Sequence, residues 1–126
     1  RLQALKEEIC QDGGKAEAYV MDVTKKESIQ HVVSAIAEKY GKIDVLCNVA
    51  GINKREGILD VTEETYDRIM DINLKGVFMV SQEVAKYMIR QHGGNIINIG
   101  SHNATAMLRL RRDQERRRCT DPLHGD

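Results

Sequence analysis

The residues of this 126-residue chain that could do chemistry gather at three places. Asp22 offers a carboxylate, Asn48-Val49-Ala50-Gly51 a carboxamide followed by a glycine turn, and Gly100-Ser101 a hydroxyl. A carboxylate accepts hydrogen bonds and a serine hydroxyl both donates and accepts. A glycine lets another group come close to the backbone. Together they suit the binding and orientation of a polar small molecule. The sulfur and imidazole groups point nowhere comparable. Cys10, Cys47 and Cys119 are odd in number and far apart, with no C-x-x-C or Cys/His cluster, which argues against a disulfide framework and against a zinc site. His31, His92, His102 and His124 are scattered, and none is expected to be a ligand or catalyst.

The elements that must position these groups follow from periodicity. Leu2, Leu5 and Ile9 recur at helical spacing, and Gly13-Gly14 stops that helix. Ala16 to Val23 reads as a strand. Thr24-Lys25-Lys26-Glu27 reads as a capping box, opening a helix with Ile29, Val32, Val33, Ile36, Ala37 and Tyr40 on one face and Gly41 at its end. Ile43 to Cys47 is a short apolar run suited to a strand buried on both faces, with Cys47 a small buried residue. Thr62 caps a helix whose first residues, Glu63 and Glu64, suit the positive end of the dipole. Helical patterning runs from there to Met88 with a break near Asn73, Gly93-Gly94 stops it, and Asn95 to Ile99 reads as another strand. Alternation at this spacing predicts an α/β fold of parallel βαβ units with right-handed crossovers. Ligands of such sheets sit beyond the carboxyl ends of the strands, which is where Asp22, Asn48 to Gly51 and Gly100-Ser101 fall.

Four segments now carry a resemblance. Asp44-Val45-Leu46-Cys47-Asn48-Val49-Ala50-Gly51 resembles the D-[VI]-L-V-N-N-A-G segment of the short-chain dehydrogenases/reductases. Met21-Asp22-Val23-Thr24 resembles their D-V-T/S segment, and Asp71 to Phe78 their N-x-x-G-x-F helix. Gly94 to Ser101 resembles the G-x-I-[IV]-N-I-[SG]-S strand that leads to the catalytic serine. Each string is short, but the four stand in order over residues 1–106. The resemblance implies a partial doubly wound, Rossmann-type parallel sheet lacking the first βαβ strands, with NAD or NADP as cofactor. It implies that Asp22, with Val23 beside it, meets the adenine amino group. It places the main chain of Asn48, Ala50 and Gly51 near the adenosine ribose, has Asn73 hold a water in a proton relay, and has Ser101 hydrogen-bond the substrate oxygen. The cofactor would carry the hydride. A tyrosine whose pKa is lowered by a lysine and by the nicotinamide charge would handle the proton. Val49 departs from the family's second asparagine and lacks its hydrogen-bonding groups.

Two family parts are not found in these 126 residues. The glycine-rich turn T-G-x-x-x-G-x-G, which brings amides and a helix N-terminus to a pyrophosphate, is expected upstream of Arg1. The Y-x-x-x-K pair is expected about a dozen residues after Ser101. In its place runs Leu108 to Cys119, rich in arginine. Residues 107–126 are therefore expected to be a solvated or out-of-frame tail. Shifting the reading by one nucleotide from Arg109 permits codons that spell Y-x-x-x-K followed by a family-like helix, with the tyrosine about four residues too close to Ser101.

Whole-chain charge is zero, with net −2 over residues 1–106 and net +2 over 107–126, so neither nucleic acid nor membrane is an expected partner. No apolar run reaches the roughly 20 residues of a membrane helix, and Arg1 to Lys6 has no signal-peptide pattern, so a cytoplasmic location is the default. The resemblance implies interconversion of an alcohol and a ketone, with a sugar acid or polyol as the first substrate class; Lys54-Arg55 in the substrate-side loop either suits the anionic group of a sugar acid or acyl-carrier substrate or is simply solvated. A 3-oxoacyl-carrier-protein reductase is the alternative. From another class comes an inactive fragment that pairs with an intact subunit, since family members commonly form homo-oligomers through the helix at about 73–91. A nucleic-acid arm at Arg109 to Arg118 is the minor rival, and Asp113 and Glu115 count against it.

Overall fold

The computed structural model describes residues 1–101. The tail expected at 107–126 lies outside the described residues. Helix α1 spans Leu2–Gln11 and closes in a Schellman turn, with Gly13 at φ 88° and its N–H, with that of Gly14, returned to the carbonyls of Cys10 and Ile9. Helix α2 spans Lys26–Tyr40 and ends at Gly41 in the left-handed conformation, as expected. Strand β1 is Val45–Asn48. Helix α3 is Glu63–Met70, a π-helical turn occupies Asp71–Gly76, helix α4 is Val77–Arg90, and strand β2 is Asn95–Asn98.

The two strands pair in parallel, Val45 opposite Asn95 through Asn48 opposite Asn98. The helical stretch between them is the crossover that a parallel pair requires. Alternation then separates two faces. Leu46 and Asn48 lie on the face that meets the helices, where Ile29 and Val33 of α2 pack with Val80, Val84 and Met88 of α4. Ile29, 1% exposed, is the centre of this core. Burying a side chain of that size contributes about 1.5–3 kcal/mol, and the spacing of the apolar residues on α2 and α4 places five of them in one cluster.

Several expectations are corrected. The run Ala16 to Val23 joins no ladder, because no strand among the described residues lies beside it, and it ends in a turn at Val23-Thr24; Val20 is 94% exposed. Its Met21 and Val23 still pack on the core edge. Strand β1 is covered on one face only. Val45 is 53% exposed and Cys47 is exposed rather than buried, since the described residues put helices against the opposite face alone. The capping box is displaced by one residue: Lys25, not Thr24, is the N-cap of α2, and it makes no side-chain cap bond. The stop after α4 is likewise displaced. His92 takes the left-handed conformation at φ 62°, and the N–H groups of His92 and Gly93 return to the carbonyls of Ile89 and Met88. The expected helix break near Asn73 is the π-helical turn itself, where one extra residue is accommodated without ending the helix. The Thr62 cap forms as expected, its hydroxyl oxygen accepting from Thr65 N–H at 3.1 Å.

Candidate functional site

The π-helical turn organises the carboxyl ends of the strands. Asn73 projects its carboxamide onto the chain just beyond β1, with Oδ1 accepting from Ile52 N–H and Nδ2 donating to the Ile52 carbonyl, both at 2.8 Å. The side chain therefore clamps a backbone 21 residues away instead of its own turn. Gly51 passes so near that a Cβ on it would stand 3.4 Å from Asn73 Oδ1. Three residues on, Gly76 is buried and faces Val23; an added Cβ would lie 2.8 Å from Val23 Cγ2. One turn of helix thus holds both the Asn48–Gly51 loop and the Asp22–Thr24 segment.

At Asp22 the chain reverses into α2. Oδ1 accepts from Thr24 N–H at 2.9 Å and from the Thr24 hydroxyl at 2.6 Å, an Asx-type turn. The Thr24 hydroxyl is turned toward the Asp22 carboxylate, a charged acceptor, and Lys25 takes the N-cap position. The Thr24 hydroxyl first, and its backbone N–H second, hold the Asp22 carboxyl below its ordinary value, with Lys25 assisting electrostatically. The Asp22 N–H in turn donates to Ser28 Oγ at 2.9 Å. Asp22 and Thr24 form one wall of an open cavity of about 670 Å³, and Asp71 and Ile72 of the π-helical turn line it opposite, with Glu63, Glu64 and Asp67 of α3. Asp71 and the three α3 carboxylates, against Arg68, make this wall unsuited to a phosphate.

Asn48, 8% exposed, is the buried polar residue of the core. Both its amide hydrogens are placed: Nδ2 donates to Ser81 Oγ of α4 at 2.9 Å and to Asn98 Oδ1 of β2 at 2.8 Å. Its carbonyl accepts from Ile99 N–H at 3.1 Å, extending the ladder. Asn48 thereby ties helix, strand and strand together, while Val49, Ala50 and Gly51 beyond it are exposed. Ser101 lies three residues past Asn98, exposed, beyond the same ends of the strands. A parallel carboxamide clamp acts at the opposite ends. Gln91 accepts from Ile43 N–H at 3.0 Å and donates to the carbonyls of Ile43 and Gly93.

Ser28, Ser81 and Gln91 carry no signal in the sequence pattern; the partner of Ser81 is 33 residues away and Ile43, bonded by Gln91, is 48 away, while Ser28 reaches past its own helix N-cap to Asp22. Asn98 had a signal. It sits in the quoted strand motif, opposite Asn48 in register. In the basic pair at Lys54-Arg55, Lys54 Nζ is 2.6 Å from Glu56 Oε1, an ion pair at the surface. Among the described residues no group of His, Cys, Asp and Glu is arranged to hold a metal. No helix among them is long and apolar enough to cross a membrane.

Known proteins resemble this chain in sequence and in fold. The sequence model of the short chain dehydrogenases matches residues 1–110. The chain is 46% identical over 88 residues to a 3-oxoacyl-(acyl-carrier-protein) reductase of Thermotoga maritima, covering 70% of this chain and 36% of that protein. It is 49% identical over 71 residues to a 2-dehydro-3-deoxy-D-gluconate 5-dehydrogenase of Dickeya dadantii, covering 56% of this chain and 28% of that one. The solved structure of a metagenomic short-chain oxidoreductase in complex with NADP superposes with a TM-score of 0.75 at 32% identity, over 79% of this chain and 46% of that one. The chain therefore spans about a third of the length of these curated relatives. The fold is a partial Rossmann-type sheet, and the chain belongs to the short-chain dehydrogenase family.

Proposed function

We propose that this chain carries part of the coenzyme and catalytic apparatus of an oxidoreductase that interconverts an alcohol and a ketone with NAD(H) or NADP(H). The observation that carries the reading is the π-helical turn, which gathers Asp22, the Val49–Gly51 backbone and Asn73 at the carboxyl ends of parallel strands, beyond which Ser101 also lies. The donor set fits a dinucleotide of this kind. The Asp22 carboxylate, held ionised by Thr24, is an acceptor for an adenine amino group. The exposed backbone from Val49 to Gly51 suits a ribose, with the Asn48 side chain withdrawn into the core. When bound, the nicotinamide supplies the hydride.

In this reading the chain's own residues bind and orient. Ser101 donates a hydrogen bond to the substrate oxygen. Asn73 holds Ile52 through two bonds, leaving one amide hydrogen and one lone pair on Oδ1 for a water. Substrate class is a carbonyl or secondary alcohol, with sugar acids or polyols first and 3-oxoacyl thioesters second, in line with the relatives named above. A cytoplasmic setting accompanies this reading.

The test is a chimera. Residues 1–101 replace the matching segment of the Thermotoga maritima reductase, and coenzyme oxidation is followed with ketone substrates. Turnover lost on Ser101→Ala is expected. A folded chimera that turns over equally well with alanine at 101 overturns the assignment.

A second reading has its own observation. Leu74, Phe78 and Ile89 are exposed along one helical stretch, with Phe78 at 63%, which suits pairing with an intact subunit through about residues 73–91. In that case the 126-residue chain reduces no carbonyl by itself.

A further inference from the structure

We infer that Ser28 is a positioning residue for the adenine-binding carboxylate of Asp22, an inference that rests on the reading of Asp22 given above. Ser28 is the third residue of α2, half-buried, and followed by Ile29, the most buried side chain among the described residues. Its hydroxyl oxygen is therefore fixed to the core. A third-position side chain in a capping box usually reaches back to the N-cap N–H. Here the N-cap is Lys25, and Ser28 reaches three residues further, to Asp22 N–H at 2.9 Å.

That bond closes a ring. Asp22 N–H is held by Ser28, the Asp22 carbonyl accepts from Lys25 N–H at 3.1 Å, and its Oδ1 is held by both donors of Thr24. A side chain swings about its own backbone, so fixing the N–H and the carbonyl on either side of Cα fixes where the carboxylate starts from. Thr24 then sets its rotation. The run Ala16 to Val20 before Asp22 joins no ladder among the described residues, and Glu17 ties it to α1 and α2 only through its ion pairs with Lys6 and Lys39. Without Ser28 the Asp22 N–H loses its hydrogen bond, and the nearest upstream anchors are the packing of Met21 and, five residues back, the Glu17 ion pairs. The carboxylate would sample several directions, and an adenine amino group would meet it in one of them.

The experiment uses the full chain labelled with nitrogen-15 and titrated with adenosine 5′-monophosphate, which carries adenine without nicotinamide. Chemical-shift changes at Asp22, Val23 and Thr24 give the affinity, and hydrogen exchange reports the Asp22 amide. Removal of one neutral hydrogen bond corresponds to roughly a 2- to 10-fold change in an equilibrium constant. Ser28→Ala is expected to weaken nucleotide binding by that factor and to speed Asp22 exchange. Ser28→Thr, which keeps the oxygen, is expected to restore both. Ser28→Ala that exchanges faster at Asp22 but binds as the original chain does overturns the inference and leaves the Asp22 reading intact. Asp22→Ala that binds as the original chain does, or an original chain that shows no shift at these residues, overturns the Asp22 reading and the inference with it. Should Ser28→Ala lose its dispersed spectrum, Ser28→Thr against Ser28→Val, which differ by one oxygen, gives the same comparison.

Discussion

Gly76→Ala sets two effects of opposite sign against each other. Gly76 has helical angles, φ −58° and ψ −46°, so alanine fits the backbone and gains about 1 kcal/mol in helix propensity. Against this, the new Cβ would stand 2.8 Å from Val23 Cγ2 and 3.1 Å from Val23 Cβ. Ordinary carbon contact begins near 3.4 Å, so one atom lies some 0.6 Å inside it. Forcing an extra methyl into a packed position costs about 1–3 kcal/mol. Rotation of Val23 alone moves Cγ2 but not Cβ, so the segment itself must yield. The net expectation is a loss of about 0–2 kcal/mol. Val23→Ala removes the 2.8 Å contact and leaves the 3.1 Å contact with Cβ, so in that background Gly76→Ala should cost less. Urea unfolding of the four chains in the double-mutant cycle measures this, with a coupling of about 1–2 kcal/mol expected. A Gly76→Ala chain more stable than the original, or a coupling under about 0.3 kcal/mol, would refute the argument that Gly76 exists to admit the Asp22 segment.

Two other predictions concern polar groups. Asn48→Ala removes a buried carboxamide and leaves Ser81 Oγ and Asn98 Oδ1 without that donor, so a loss of about 1–3 kcal/mol is expected by urea unfolding with an unchanged m-value; a loss within 0.5 kcal/mol of zero, the size of ordinary surface substitutions, contradicts it. For Asp22, the folded carboxyl lies below its ordinary value of 3.8. A depressed folded value means the contribution is present above the unfolded value and is lost as pH falls through the folded one. Thr24→Val deletes the hydroxyl bond and keeps the N–H bond, so the Asp22 carboxyl carbon should titrate at higher pH by carbon-13 NMR, and the acid arm of stability below about pH 4 should flatten; an identical titration curve would show that the hydroxyl does not hold this carboxylate.

How much of the site was legible varied by residue. Thr62 and its two glutamates were readable because an N-cap involves only its own next three residues. Ile29, Val33, Val80 and Val84 were readable because helical spacing alone places them on one face. Val45 and Cys47 were misread as buried, since an apolar strand says nothing about which of its faces a helix covers. Thr24 was misread as a cap because the box pattern cannot weigh a charged acceptor two residues earlier. The four family-like segments gave the positions of Asp22, Asn48, Asn73 and Ser101, but their partners lay elsewhere.

The order of elements, the helical faces and the residues beyond the strand ends are thus properties of the chain read locally, because turns, caps and periodicity act within a few residues. Only the tertiary structure decided that Asn73 holds Ile52, that Asn48 spends its amide on Ser81 and Asn98, and that Gly76 makes room for Val23. Each joins residues 21 to 53 positions apart, and a hydrogen bond or a steric contact at that separation exists only once the helices have docked on the sheet.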